Sequence, residues 1–299
     1  MAKALIGIDL GGTRIKSVVL DASGNILKQA YSKTEDGDGQ VWKQTISRIY
    51  KDLVAGLGHA DFAVGISAPG LPNEDHSEIA YMPGRLEGLK KYAWSILTRQ
   101  KTWVLNDAVA ALLAEARLGS AKNRKNAVLI TLGTGVGGAI LIDGRLYQGS
   151  FKKAGHIGHI TLDHEGPPDV TGMPGSLEDA IGNSTISRRS LGRFQDTNDL
   201  LVAYRNGDHF AKNVWLESIR KLAVGIASVT NILSPECVII GGGITEAGID
   251  LFEPLEDFLS LYEWRAGGNR TAVLKSNFGD MAGAVGAACF AKEQGSSSK

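Results

Sequence analysis

The chain has 299 residues, 43% of them hydrophobic, which is enough for more than one core, so two domains are expected. Lysine plus arginine equal aspartate plus glutamate at 32 each, which removes the charge footprint of a protein that follows nucleic acid or an acidic membrane surface. The only two cysteines, Cys237 and Cys289, lie in apolar stretches; they exclude a disulfide framework and suit a reducing, cytoplasmic compartment.

Ala4 to Asp9 reads as a strand. No basic segment with an apolar run precedes it and no later stretch has 18 apolar residues in a row, so neither signal peptide nor membrane span is expected. In the turn Asp9-Leu-Gly-Gly-Thr13, Gly11 and Gly12 let backbone amides approach an anion and Thr13 adds a hydroxyl donor. Asp9 at its mouth suits the water shell of a Mg²⁺ ion. An ordinary hairpin with left-handed glycines is an equal reading of these residues alone. Trp42, Ile46, Ile49 and Leu53 have helical spacing, and Phe62 to Ser67 and Thr102 to Leu105 read as buried strands. Asn106-Asp107 stands between the second of these strands and a helical run, Ala108 to Leu118. Strand ends are where open α/β sheets present their chemistry, yet aspartate is also a helix N-cap that stabilises by about 1 kcal/mol. The first domain is expected to end near Gly119.

Thr131 to Asp143 can be laid over Asp9 to Asp21: strand, glycine turn, strand, then a turn with Asp and Gly, with Gly11 and Gly133 at the same offset. This points to duplication of one supersecondary unit. The second turn, Gly133-Thr134-Gly135-Val136-Gly137-Gly138, satisfies G-x-G-x-x-G, but the β-rich run Ala139 to Ile142 follows it where a dinucleotide site needs a helix. A hairpin phosphate loop fits better. His156, His159 and Glu178 fall in two Gly-containing segments, Gly155 to His159 and Gly172 to Glu178. Gly155 and Gly158 oppose a helix, and hydrogen bonding to a polyol is favoured over a metal site. A helical pattern from His209 to Leu233 stops before Pro235. The strand Cys237 to Ile240 then enters Gly241-Gly242-Gly243, which reads either as support for a nucleotide's ribose and base or as a tight turn. The polar tail, residues 295–299, is expected to be disordered.

These blocks together resemble the ROK group of repressors and sugar kinases, within the actin-like, sugar kinase and heat-shock ATPase superfamily. The resemblance is carried by Asp9 to Thr13 with Lys16, Gly65 to Gly70, Asn106-Asp107-Ala108 with Glu115, and Leu132 to Gly138. Gly158-His159, Gly172 to Glu178, Asn231 to Glu236 with Gly241 to Gly243, and Ala282 to Ala287 complete it. It implies an α/β fold of two ribonuclease-H-like (actin-like ATPase) lobes around a central cleft. Residues 1–118 would form the first lobe, with a helix near 284–294 crossing back to it, and residues 119–283 the second. The implied activity is transfer of the γ-phosphoryl group of ATP to a hydroxyl of a hexose or related polyol, with Asp107 as catalytic base. The sugar is assigned to Asn106, Asp107, His156, His159 and Glu178. ATP is assigned to Asp9, Gly11, Gly12, Thr13, Lys16, Gly133, Thr134, Gly135, Gly241, Gly242 and Gly243, with Mg²⁺ held through water by Asp9. The resemblance also suggests a homodimer. Eight residues ahead of Asp9 leave no room for the winged helix-turn-helix of repressor members, so the kinase branch is expected, with no nucleic-acid or membrane partner.

Departures from the family pattern fall on the sugar side. His156 stands where family kinases commonly carry glutamate, Val109 where an asparagine is common, and Gly84 or Arg85 where a sugar-binding asparagine follows the proline. Asp169, Thr171 and Ser176 occupy the cysteine places of zinc-binding members, so no structural zinc is expected although His159 remains. A kinase of an amino sugar, ketose or cyclitol, and a non-catalytic sugar sensor of the same fold, stand as the alternatives.

Overall fold

The computed structural model describes residues 3–35, 39–58, 61–82 and 86–297. The expectation placed on Gly84 and Arg85 lies outside the described residues. Two compact units emerge: Met1–Asn123 with Gln148–Ala154 and Asp280–Lys299, and Arg124–Tyr147 with Gly155–Gly279.

In the first unit β1 (Ala4–Leu10), β2 (Arg14–Asp21) and β3 (Ile26–Lys33) form an antiparallel meander, followed by α1 (Gly39–Ala55). β4 (Phe62–Ala68) pairs parallel with β1. The short strands β5 (Leu71–Pro72) and β6 (Ile79–Tyr81) and helix α2 (Trp94–Thr98) lead to β7 (Thr102–Asn106), parallel to β4, and then α3 (Asp107–Leu118). The second unit repeats the plan with β8 (Ala127–Leu132), β9 (Val136–Ile142) and β10 (Arg145–Tyr147), then four helices, α4 (Leu177–Ile181), α5 (Ile186–Arg189), α6 (Thr197–Arg205) and α7 (His209–Leu233). β11 (Cys237–Gly241), α8 (Ile249–Tyr262) and β12 (Ala272–Lys275) complete it. The strand orders, β3-β2-β1-β4-β7 and β10-β9-β8-β11-β12, are the same, so the repeat seen at the glycine hairpins extends through both sheets.

The turns are not identical. Leu10 pairs with Ile15 across the first and Leu132 with Val136 across the second, so the first holds one residue more and the twelve-residue correspondence slips by one in the second strand.

Parallel strands covered on both faces call for apolar runs, and β1, β11 and even the terminal strand β7 are buried along their whole length. α7 starts where the Asp208 side chain accepts from Ala211 N at 2.8 Å and stops at Ser234, left-handed at φ 44°, before Pro235. Cys237 and Cys289 are free and buried, and burial pushes both thiols up to about 11. Among the described residues no helix is long and apolar enough to cross a membrane.

The last helix, α9 (Ala282–Ser297), lies in the first unit against β1, β4 and α3. It approaches at backbone distance. A Cβ on Gly7 or Gly65 would overlap the carbonyls of Ala284 or Ala287, and one on Gly286 the carbonyl of Ala110. The first unit runs to Asn123 beside an expected limit of 118, α9 begins at Ala282 beside an expected start near 284, and Gly295 to Ser297, in the tail expected to be disordered, continue the helix. A helix already nucleated by a buried face extends over small polar residues at little cost, and Ser296 Oγ bonds back to Lys292 O at 2.9 Å.

The same helix yields a paired prediction. Gly286→Ala forces a methyl into Ala110 and lowers stability by about 1–3 kcal/mol. Gly295→Ala, exposed and with its nearest neighbour atom 3.9 Å away, raises it by roughly 0.5–1 kcal/mol through helix propensity. Urea denaturation of both variants reads the two signs.

Candidate active site

In the first unit the parallel strands β1, β4 and β7 end side by side, and their register sets Asp9 opposite Ser67 and Ala68 opposite Asn106. Asp9 is buried. Its Oδ1 accepts from Ser67 Oγ at 2.6 Å and its Oδ2 from Lys16 Nζ at 2.9 Å, Lys16 being its cross-strand partner on β2. A Cβ on Gly283 would stand 2.7 Å from Asp9 Oδ1, so the start of α9 closes over this carboxylate. Burial alone would lower the Lys16 ammonium, but the charge and hydrogen bond of Asp9 outweigh it and the net shift is upward, with Asp280 and Asp107 adding to it. Removing one member of such a pair leaves a stranded charge, at a cost of about 3–5 kcal/mol.

Asn106, not Asp107, caps α3. Its Oδ1 accepts from Ala108 N at 3.0 Å and Val109 N at 3.3 Å, and its Nδ2 donates to Gly70 O at 3.1 Å. The capping alternative for Asp107 is thereby removed. Asp107 is the first helical residue, and its Oδ1 accepts from Ala108 N at 2.8 Å. Its side chain reaches solvent, yet desolvation by the protein around it, and then the Asp9 charge, push the carboxyl up to about 6, against the pull of the Ala108 amide and Lys16. Glu115, fully buried, accepts from Ser120 N and Oγ and finishes the same helix, a structural role.

The first glycine turn is braced by Thr34, whose Oγ1 donates to Gly11 O at 2.7 Å and whose N donates to Thr13 O at 3.0 Å. The turn closes the β1–β2 hairpin, and neither Gly11 nor Gly12 is left-handed. Gly11 is required because a Cβ would come 2.8 Å from Arg14 O. A Mg²⁺ ion held largely by phosphate oxygens and water needs only one or two carboxylates. Asp9 and Asp107 fit that demand, and among the described residues no three His, Cys, Asp or Glu converge to cage an ion.

The second unit builds a different set. The carbonyls of Gly133 and Thr134 accept from Asn183 N and Ser184 N, both at 2.9 Å, which anchors the second glycine turn. Glu178, in the first turn of α4, accepts at Oε2 from Val136 N at 2.9 Å, and a Cβ on Gly135 would overlap that oxygen. The second glycine turn and Glu178 are therefore in direct touch. Gly242 has φ 88°, and a Cβ there would run into the backbone of Leu132, so the third glycine cluster is pressed against the second. Beside them a recess of about 490 Å³ is lined by Gly133, Thr134, Asn183, Thr197, Gly243 and Ile244 among others. Gly243–Ala247 is a single 3₁₀ turn.

His156 precedes and His159 ends a 3₁₀ turn, Ile157–His159, with their rings 6.4 Å apart and inclined by 17°. His159 Nδ1 lies 2.8 Å from Asp169 Oδ2. Burial opposes ionisation of Asp169, but hydrogen bonds from His159, Thr171 and Met173 hold it well below the usual carboxylate range.

Sequence reasoning missed Ser67, Asp280 and Asp169. Ser67 sat in a recognised block without a role, and Asp280 had no local signal. Asp169 read only as a lost cysteine.

The model of the ROK family matches residues 5–294. A glucokinase of Streptomyces coelicolor is 31% identical over 314 residues, covering 96% of this chain and 97% of that protein. An N-acetylmannosamine kinase of Escherichia coli is 30% identical over 298 residues, with 96% and 98% covered. The crystal structure of a ROK family glucokinase from Streptomyces griseus, in complex with glucose and AMPPNP, superposes with a TM-score of 0.79 at 28% identity and covers 97% of this chain and 99% of that one.

The electrostatics of the first unit give a directional prediction. In a carbon-detected NMR titration Asp107 titrates near pH 6. Asp9→Asn, which removes a like charge, moves that titration down, and Lys16→Met, which removes an opposite charge, moves it up. A titration near 4 in the parent chain, unmoved by either variant, would refute the assignment.

Proposed function

Because this chain belongs to the ROK family, we propose that it is an ATP-dependent sugar kinase, transferring the γ-phosphoryl group to a hydroxyl of a hexose or related polyol, with Asp107 as the base. The observation that carries this reading is the Asp107 carboxyl itself. It follows the carboxyl end of β7 as the first residue of α3, one position past the Asn106 cap, shares the Ala108 amide with that cap, and is raised to about 6 by its surroundings. Such a carboxylate is ionised at neutral pH and more basic than an ordinary aspartate, which is what proton abstraction from an alcohol calls for.

In the proposed reaction the sugar hydroxyl gives its proton to Asp107 as its oxygen bonds to the γ-phosphorus. The bond from that phosphorus to the bridging oxygen breaks, and ADP leaves. Asn106, His156, His159 and Glu178 are the proposed sugar contacts; Asn106 Nδ2 retains one N–H beyond its bond to Gly70. The two glycine turns, Lys16 and the recess beside Gly243 are the proposed nucleotide contacts, the recess having room for a ribose and base. Magnesium, when bound beside Asp9 and Asp107, supplies charge neutralisation at the phosphates. The buried free thiols support a reducing, cytoplasmic setting, and the homodimer rests on family resemblance alone.

The second reading, an amino sugar, ketose or cyclitol as acceptor, rests on His156. A glutamate only accepts from hydroxyls, whereas an imidazole can also donate, so the preferred hydroxyl pattern changes.

The test is a coupled ADP-release assay with MgATP over hexoses, amino sugars, ketoses and cyclitols. Turnover on one acceptor is expected, with kcat falling by roughly 10²–10⁴-fold in Asp107→Asn. Near-parental turnover in that variant removes the base assignment. Sugar binding without turnover in the parent chain identifies the sensor.

A further inference from the structure

The loop between Thr161 and Ser176 does not fit a metal, and its polar groups are spent otherwise. Ser176 is fully buried and caps α4, accepting from Asp179 N at 3.2 Å. Thr171 Oγ1 donates to Asp169 Oδ1 at 2.7 Å. The same oxygen accepts from Thr171 N at 2.7 Å and Met173 N at 3.0 Å, while Oδ2 faces His159 Nδ1. Asp169 thus has four donors on a side chain that is 1% exposed. Backbone bonds close the loop around it: Asp169 N donates to Met173 O, Gly172 N to Asp169 O, and Leu162 N to Gly175 O, each at 2.9 Å. The carboxylate is the hub of this loop.

We propose that Asp169 is a positioning residue for sugar recognition: by accepting the Nδ1 proton of His159 where a metal would bind, it holds Nε2 of that ring as a hydrogen-bond acceptor toward a substrate hydroxyl. The word substrate rests on the sugar-kinase reading; the tautomer does not. A carboxylate already taking three other hydrogen bonds is an acceptor only, so Nδ1 must carry the hydrogen, and a neutral imidazole has just one. A metal at the same place takes a ring lone pair and leaves the other nitrogen as an N–H donor. The exchange of metal for carboxylate therefore inverts the polarity that His159 offers. The His159 side chain is 26% exposed, against 1% for Asp169.

Asp169→Asn separates position from proton. The amide oxygen can still accept from Thr171 and Met173, but its NH₂ offers a hydrogen to Nδ1 and drives the ring to the Nε2–H form. Two-bond proton–nitrogen NMR at pH 8 on the full-length, nitrogen-15-labelled protein, with His159 assigned through His159→Gln, reads the tautomer. Expected are Nδ1–H in the parent chain and Nε2–H in Asp169→Asn. The KM for the sugar should rise about tenfold, while kcat and the KM for ATP change little. Elemental analysis is expected to find far less than one zinc per chain. Nε2–H in the parent, a stoichiometric zinc, or a flipped tautomer with an unchanged sugar KM would each overturn the proposal. If Asp169→Asn does not fold, the parental tautomer and zinc content still decide. A chain that turns over no sugar but shows the Nδ1–H ring would fail the kinase reading and leave the Asp169–His159 pairing intact.

Discussion

A carboxylate buried near the end of a sheet's central strand must keep a countercharge, and Asp9 keeps Lys16. The pair is set by the β1–β2 hairpin register, tied to β4 through Ser67, and closed over by the start of α9 at Gly283. Much of the first unit's chemistry follows from it. Asp107 is desolvated by the protein around it, feels Asp9 as a like charge and Lys16 as an opposite one, and its basicity is set by the balance of the three. Losing either member would alter the fold and the proposed base together.

Five glycines serve these packed contacts by permitting close approach. Gly7, Gly65 and Gly286 let α9 reach β1, β4 and α3, Gly135 lets Glu178 reach the second glycine turn, and Gly242 lets the third cluster rest on Leu132. Of these five, only Gly242 has a positive φ. The consequence is that the second and third glycine turns rest on neighbours that leave no space for a side chain.

The second unit handles polarity differently. Its histidines and Glu178 ride on short segments, a 3₁₀ turn and a five-residue helix, that have little stability of their own. The hydrogen bonds around Asp169 and the Ser176 cap supply the order that short elements lack. Hydrogen bonds to an ionised, desolvated carboxylate are among the stronger ones available, which suits Asp169 to that task.

Much was legible from the residues alone. Apolar periodicity gave α7 its limits, since Pro235 forbids continuation, and the paired glycine hairpins announced a duplicated unit that both sheets then repeat. Local motifs also named Asp9, Asp107, His159 and Glu178 as residues of interest, because glycine turns and strand ends are written in neighbouring positions. The extension of α9 to Ser297 is not written in the tail's residues, since composition records propensity and not the nucleated helix that the tail extends. What tertiary structure alone decided was the partner of each polar group. Asn106 rather than Asp107 caps α3, Lys16 and Ser67 share Asp9, and Asp169 serves His159. These choices depend on strand register and loop closure between residues far apart or in irregular segments, where no local periodicity carries the information. Hydrogen bonds and charge pairs are made in space, and the chain order of their members does not encode them.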